Sequence, residues 1–159
     1  MRKIFLLGLG ATGLGVYWYY KRQVDLLYKM KYSIADVNVV ERTSNNMKVL
    51  ITLNVVNNSE IDFTLTGWNF DMLINNELVT QITDNGKKVF VKSNGGQTQL
   101  SFNASFSPKD YGLIDLLASV IDTGKGTLIT LKGNVSVYSG FIVSTKSPVD
   151  ITWRLEDFL

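Results

Sequence analysis

The sequence predicts an all-β protein: an immunoglobulin or fibronectin III-like β-sandwich with one inserted helix, preceded by an N-terminal hydrophobic helix. Three observations carry this expectation. Apolar residues alternate with polar ones in short runs from Tyr32 to the end of the chain, clusters of Asn, Gly, Ser and Asp punctuate those runs, and residues 4–20 are uncharged between Arg2-Lys3 and Lys21-Arg22. Period-two runs broken by turn residues are the signature of antiparallel strands, and a regular series of them is that of a sandwich. With 159 residues, 45% of them hydrophobic and 19% charged, the chain has material for one packed domain and is too apolar for disorder.

The N-terminal run ends Tyr17-Trp18-Tyr19-Tyr20 and turns basic at Lys21-Arg22. Interfacial aromatics followed by snorkelling cations mark one edge of a bilayer, so residues 1–22 are expected to be a transmembrane or membrane-anchor helix and residues 23–31 a helical stalk. At 1.5 Å per residue the uncharged run reaches roughly 25 Å, near the lower limit for a core about 30 Å thick. Gly8, Ala11, Thr12 and Gly15 share one helical stripe. Two other readings compete. Cleavage after Ala11-Thr12-Gly13 would leave a mature end rich in apolar and aromatic residues, unlike a signal-peptide site. Gly8-Leu9-Gly10-Ala11-Thr12-Gly13 is a literal dinucleotide fingerprint, but the acid such a site needs should lie about 20 residues on, and Glu41 is farther. No alternation of strand and helix follows it either.

The body begins at Tyr32. Met47, Val49, Ile51, Leu53 and Val55 take every second position of a half-buried strand that Asn57-Asn58-Ser59 ends. Trp68, Phe70, Met72 and Ile74 alternate next. Asn75-Asn76 tolerates the positive φ of a tight hairpin, and Leu78-Val79 starts the return strand. Asp84-Asn85-Gly86 turns the chain again, Val89-Phe90-Val91 is a short strand, and Leu100, Phe102, Ala104 and Phe106 alternate most clearly. Ser107-Pro108-Lys109-Asp110 reads as a helix start, with Leu113, Leu116, Leu117, Val120 and Ile121 at helical spacing and Gly124 as the stop. Strands resume through Ile129, Leu131, Val135 and Val137, turn at Ser139-Gly140, and continue through Val149, Ile151 and Trp153.

Composition narrows the chemistry. The chain has no Cys and no His, so thiolate nucleophiles, Cys-ligated zinc and imidazole bases are excluded. A net charge of +2 without a basic block argues against nucleic acid. Asp115 and Asp122 share a face of the predicted helix, with Asp110 at its start, as solvated charges do. Gly124-Lys125-Gly126-Thr127 lacks the glycine five residues before the lysine that a phosphate loop requires. Asn57-Asn58-Ser59, Asn103-Ala104-Ser105 and Asn134-Val135-Ser136 match the glycosylation pattern as a chain rich in Asn and Ser will by chance. Trp68 and Trp153 fall on apolar faces and are expected in the core. No catalytic, cofactor-binding or metal-binding residue is assigned.

The order of elements from Tyr32 to Leu159 resembles the LEA14-like domain (late embryogenesis abundant type 2, water-stress and hypersensitive response). The resemblance rests on Val49-Leu50-Ile51-Thr52-Leu53-Asn54-Val55-Val56-Asn57-Asn58-Ser59 and on Phe70-Asp71-Met72-Leu73-Ile74-Asn75-Asn76-Glu77-Leu78, followed by the strand Leu100 to Phe106, a helix, and the pair from Thr127 to Ser144. Asn58 stands where that family often has Pro. The resemblance implies an immunoglobulin-like sandwich over residues 32–159, without catalytic residues or cofactor, in a family whose anchored members occur in bacteria and phages.

The expected function is therefore a non-catalytic, membrane-anchored structural or binding module, not an enzyme. It is single-pass, contacts lipid through residues 4–20, and recruits a protein partner or a second copy along a strand edge. The alternative is a phage or viral virion protein whose N-terminal helix is buried in the particle or its membrane. The expected orientation exports the sandwich across the membrane.

Overall fold

The computed structural model describes residues 2–27, 30–43, 45–107, 126–140, 142–154 and 157. These form helix α1 (Arg2–Leu27) and strands β1 (Lys31–Arg42), β2 (Met47–Asn57), β3 (Phe63–Ile74), β4 (Glu77–Asp84), β5 (Val89–Val91), β6 (Gly96–Phe106), β7 (Leu128–Ser139) and β8 (Ile142–Arg154). The strands make two sheets, one ordered β1-β2-β6 and the other β4-β3-β7-β8, with β5 pairing β3 beyond the end of β4. Every pairing is antiparallel. The all-β, two-sheet expectation is met. The helix expected from Ser107 to Gly124 lies outside the described residues from position 108 onward.

Period-two patterning decides which side chains meet between the sheets. From one sheet Ile51, Leu53, Val55, Leu100 and Ala104 are fully buried, and from the other Leu65, Phe70, Leu131, Val135 and Val137. Trp68 and Trp153 are in this core, as their periodicity predicts. Phe102 reaches across to Phe70 and Trp68, with ring centroids 5.2 and 6.3 Å away in tilted contact. Each such large side chain contributes about 1.5–3 kcal/mol by leaving water.

Turns follow the residues that permit them. Asn75 and Asn76 adopt φ of 49° and 70° in the β3–β4 hairpin, and the Asp84 carboxylate accepts the N–H groups of Gly86 and Lys87. The sheet edges are partly closed. Thr80 and Lys87 donate to the carbonyls of Ser105 and Ser101 along β6, while Tyr32 of β1 donates to Ser147 Oγ of β8 at 2.7 Å. The far half of β1 bears exposed Val39 and Val40 at a bulge, and a second bulge lies between Ile34 and Asp36.

Helix α1 contains the whole run read as a membrane span. Among the described residues no helix is long and apolar enough to cross a membrane. The segment expected to span the membrane, residues 4–20, offers only 17 uncharged positions between Lys3 and Lys21, four of them glycine and the last four Tyr17-Trp18-Tyr19-Tyr20, so its apolar run is short and dilute. Helix α1 continues to Leu27, Val24 packs against the core, and Met30 is buried within it.

Candidate functional site

The connections β2–β3, β5–β6 and β7–β8 gather at the end of the sandwich where β1 begins, since Lys31 pairs with Val56, Asn57 with Gly96 and Phe63 with Val91. A buried polar knot shapes this end. Asn57 and Ser59 are fully buried. Asn57 Nδ2 donates to the Ile61 carbonyl at 2.8 Å, its Oδ1 accepts the Ser59 N–H at 2.9 Å, and Ser59 Oγ donates to the same Ile61 carbonyl. The next connection is drawn in by Asn94 N–H donating to Ser59 O and Gly95 N–H to Asn57 O, both at 2.7 Å. Asn94 and Gly95 reach these acceptors with φ of 56° and 83°. The Asn57-Asn58-Ser59 turn is thus the joint by which the chain leaves one sheet for the other.

Helix α1 meets the sandwich at this end. Arg22 lies 3.4 Å from Glu60 and 6.0 Å from the centre of the Trp18 ring on its own helix. The Glu60 pair is half-exposed, so it orients the helix more than it stabilises the fold. Tyr19, Glu60, Ile61, Asp62, Ser93 and Gly140 line an open notch of about 510 Å³ between helix and turns. The N–H of Ser93 donated to Asp62 holds that carboxyl below its ordinary range. Above the notch the helix is bare: Leu14, Val16, Tyr17 and Trp18 are each 64–71% exposed, and Tyr19 and Tyr20 are exposed too. Consecutive exposed positions cover every face of a helix, so this segment is apolar and aromatic all round, which water does not favour.

The motifs weighed from sequence fall elsewhere. Gly8 to Gly13 lie inside continuous α1, not on the strand-to-helix turn a dinucleotide site requires. Asp110, Asp115, Asp122, Gly124 and Lys125 lie outside the described residues. Asn57 is buried and fully engaged, while Asn103 and Asn134 stand on exposed positions of β6 and β7. Among the described residues no three Asp or Glu side chains gather as a metal site would need. Sequence reasoning missed the meeting of Arg22 with Glu60, and of Asp62 with Ser93. Separations of 38 and 31 residues leave no local trace.

No protein-family model matches this chain, and no curated protein matches it in sequence. Solved structures do share its fold. The solution structure of AT1g01470 from Arabidopsis thaliana aligns over 78% of this chain and 79% of its own, at 14% identity and a TM-score of 0.53. The X-ray structure of the structural-genomics target SoR45 aligns over 79% and 84%, at 12% identity and the same TM-score of 0.53. At such identity the likeness is one of fold.

Proposed function

We propose that this chain is a non-catalytic structural or binding module of LEA14-like, immunoglobulin-type architecture, attached to a lipid membrane by α1. The observation that carries the reading is the bare helix: large apolar and aromatic side chains exposed on every face from Leu14 to Tyr20, ending at Lys21-Arg22. A segment of that kind needs an apolar cover, and the aromatic-then-basic order suits a bilayer interface. The non-catalytic part of the reading is supported by how the described sandwich uses its buried polar groups. Asn57, Ser59, Thr52 and Thr130 bond within the fold and hold strands or turns together.

The test is flotation of the full chain with lipid vesicles, alongside the full-length triple variant Leu14→Asp, Val16→Asp and Trp18→Asp. The full chain is expected to float with lipid and the variant to stay in the aqueous fraction, with unchanged circular dichroism from the strands. A full chain that remains aqueous overturns the attachment.

A further inference from the structure

We infer that the aromatic-basic band Leu14–Arg22 seats at the headgroup boundary of an anionic bilayer, and that the sandwich stands on that surface with its β2–β3, β5–β6 and β7–β8 turns facing the lipid. This rests on the attachment proposed above and adds which residues lie at the boundary and which end of the domain faces it. Two sets of observations carry it. The band itself has large side chains that prefer the boundary, Tyr17, Trp18, Tyr19 and Tyr20, followed at once by cations, Lys21 and Arg22, that complement lipid phosphates. The Arg22 guanidinium lies over the Trp18 ring, 6.0 Å from its centre, which places the charge next to the aromatic at the same boundary.

The second set ties the band to one end of the domain. Only a few residues separate Arg22 from the core: Val24 packs against it and Met30 is buried in it. Arg22 reaches Glu60 of the β2–β3 connection, and Tyr19 lines the notch with Asp62, Ser93 and Gly140 from all three connections. Because the helix meets the sandwich at this end, seating its band in lipid brings those turns toward the surface. The opposite end, with the β1–β2 connection and the β3–β4 turn at Asn75-Asn76, then points away from the membrane.

The absence of cysteine allows a direct test on the full chain. Asn58→Cys and Asn45→Cys, exposed at the near and far ends, are each labelled with an environment-sensitive fluorophore and bound to phosphatidylcholine–phosphatidylglycerol vesicles. Spin-labelled headgroups are expected to quench the Asn58 label several-fold more than the Asn45 label. Brominated acyl chains are expected to quench tryptophan emission, and that quenching is lost in Trp18→Phe because Trp68 and Trp153 are buried. Lys21→Glu is expected to weaken binding to these vesicles by about fivefold or more. Vesicle binding with equal or reversed label quenching, with quenching that survives Trp18→Phe, or with Lys21→Glu unchanged overturns this inference and leaves the attachment standing. Absence of vesicle binding, or lipid-free oligomers that bury Trp18, overturns both.

Discussion

At the scale of single residues, Asn57 shows how one polar side chain sets a joint between sheets. Both ends of its amide are used, so Asn57→Ala strands the Ser59 N–H and removes a donor from Ile61 O in a buried place. A cost of about 2–4 kcal/mol in chemical denaturation is expected, whereas Asn58→Ala, at the exposed neighbour, should change stability by less than about 0.5 kcal/mol. Tyr32 is the residue with a pH signature. Burial pushes its phenol up to about 12, against the opposing effect of its bond to Ser147. The folded chain therefore holds this proton more tightly than the unfolded chain. The stability this confers is complete below pH 10 and declines between about pH 10 and 12, at up to roughly 1.4 kcal/mol per unit. Urea denaturation across that range should fall less steeply for Tyr32→Phe. The Asn57 turn was legible in the sequence as a turn; its burial was not, because Asn-Asn-Ser reads equally as an exposed loop.

At the scale of elements, alternation located the strands well, since each has one face in the core. Met47–Val55 was read nearly as it stands, Trp68–Ile74 and Leu100–Phe106 are the later parts of the longer strands β3 and β6, and Asn75-Asn76 was read correctly because few non-glycine pairs accept positive φ. The β7 strand holds a feature that patterning conceals. Gly133 lies so close to Asn69 on β3 that an added Cβ would overlap its carbonyl oxygen. Gly133→Ala is expected to cost at least about 2 kcal/mol by pushing β3 and β7 apart. At Gly86 the nearest atom is 3.8 Å away, so Gly86→Ala is expected to be neutral or to stabilise by up to about 1 kcal/mol through the unfolded chain. Parallel thermal melts of the two variants check both. The N-terminal segment was read from its uncharged run as a membrane-spanning or anchor helix; among the described residues no helix is long and apolar enough to cross a membrane, because only 17 uncharged residues, four of them glycine, lie between Lys3 and Lys21.

At the scale of the whole molecule, strand order and helix docking are decisions made between distant residues. Tertiary contact brings Arg22 to Glu60 and gathers three connections beside Tyr19. If that packing sets the placement of α1, Glu60→Ala should leave unfolding free energy within about 0.5 kcal/mol of the parent, since an exposed ion pair contributes little. Val24→Asp should loosen the helix, seen as increased proteolysis near residue 27 with the sandwich's circular dichroism retained. The sequence by itself determined the all-β class, the position of most strands and turns, the absence of cysteine and histidine chemistry, and the aromatic-basic band. These follow from local periodicity, backbone preference and composition, which a single chain displays in order. Only the tertiary structure decided the two-sheet order, the pairing of β5 beyond β4, the burial of Asn57 and the end of the domain on which α1 docks. Those depend on which surfaces, 31 to 115 residues apart, bury most area and satisfy most polar groups when they meet, and no local pattern records that choice.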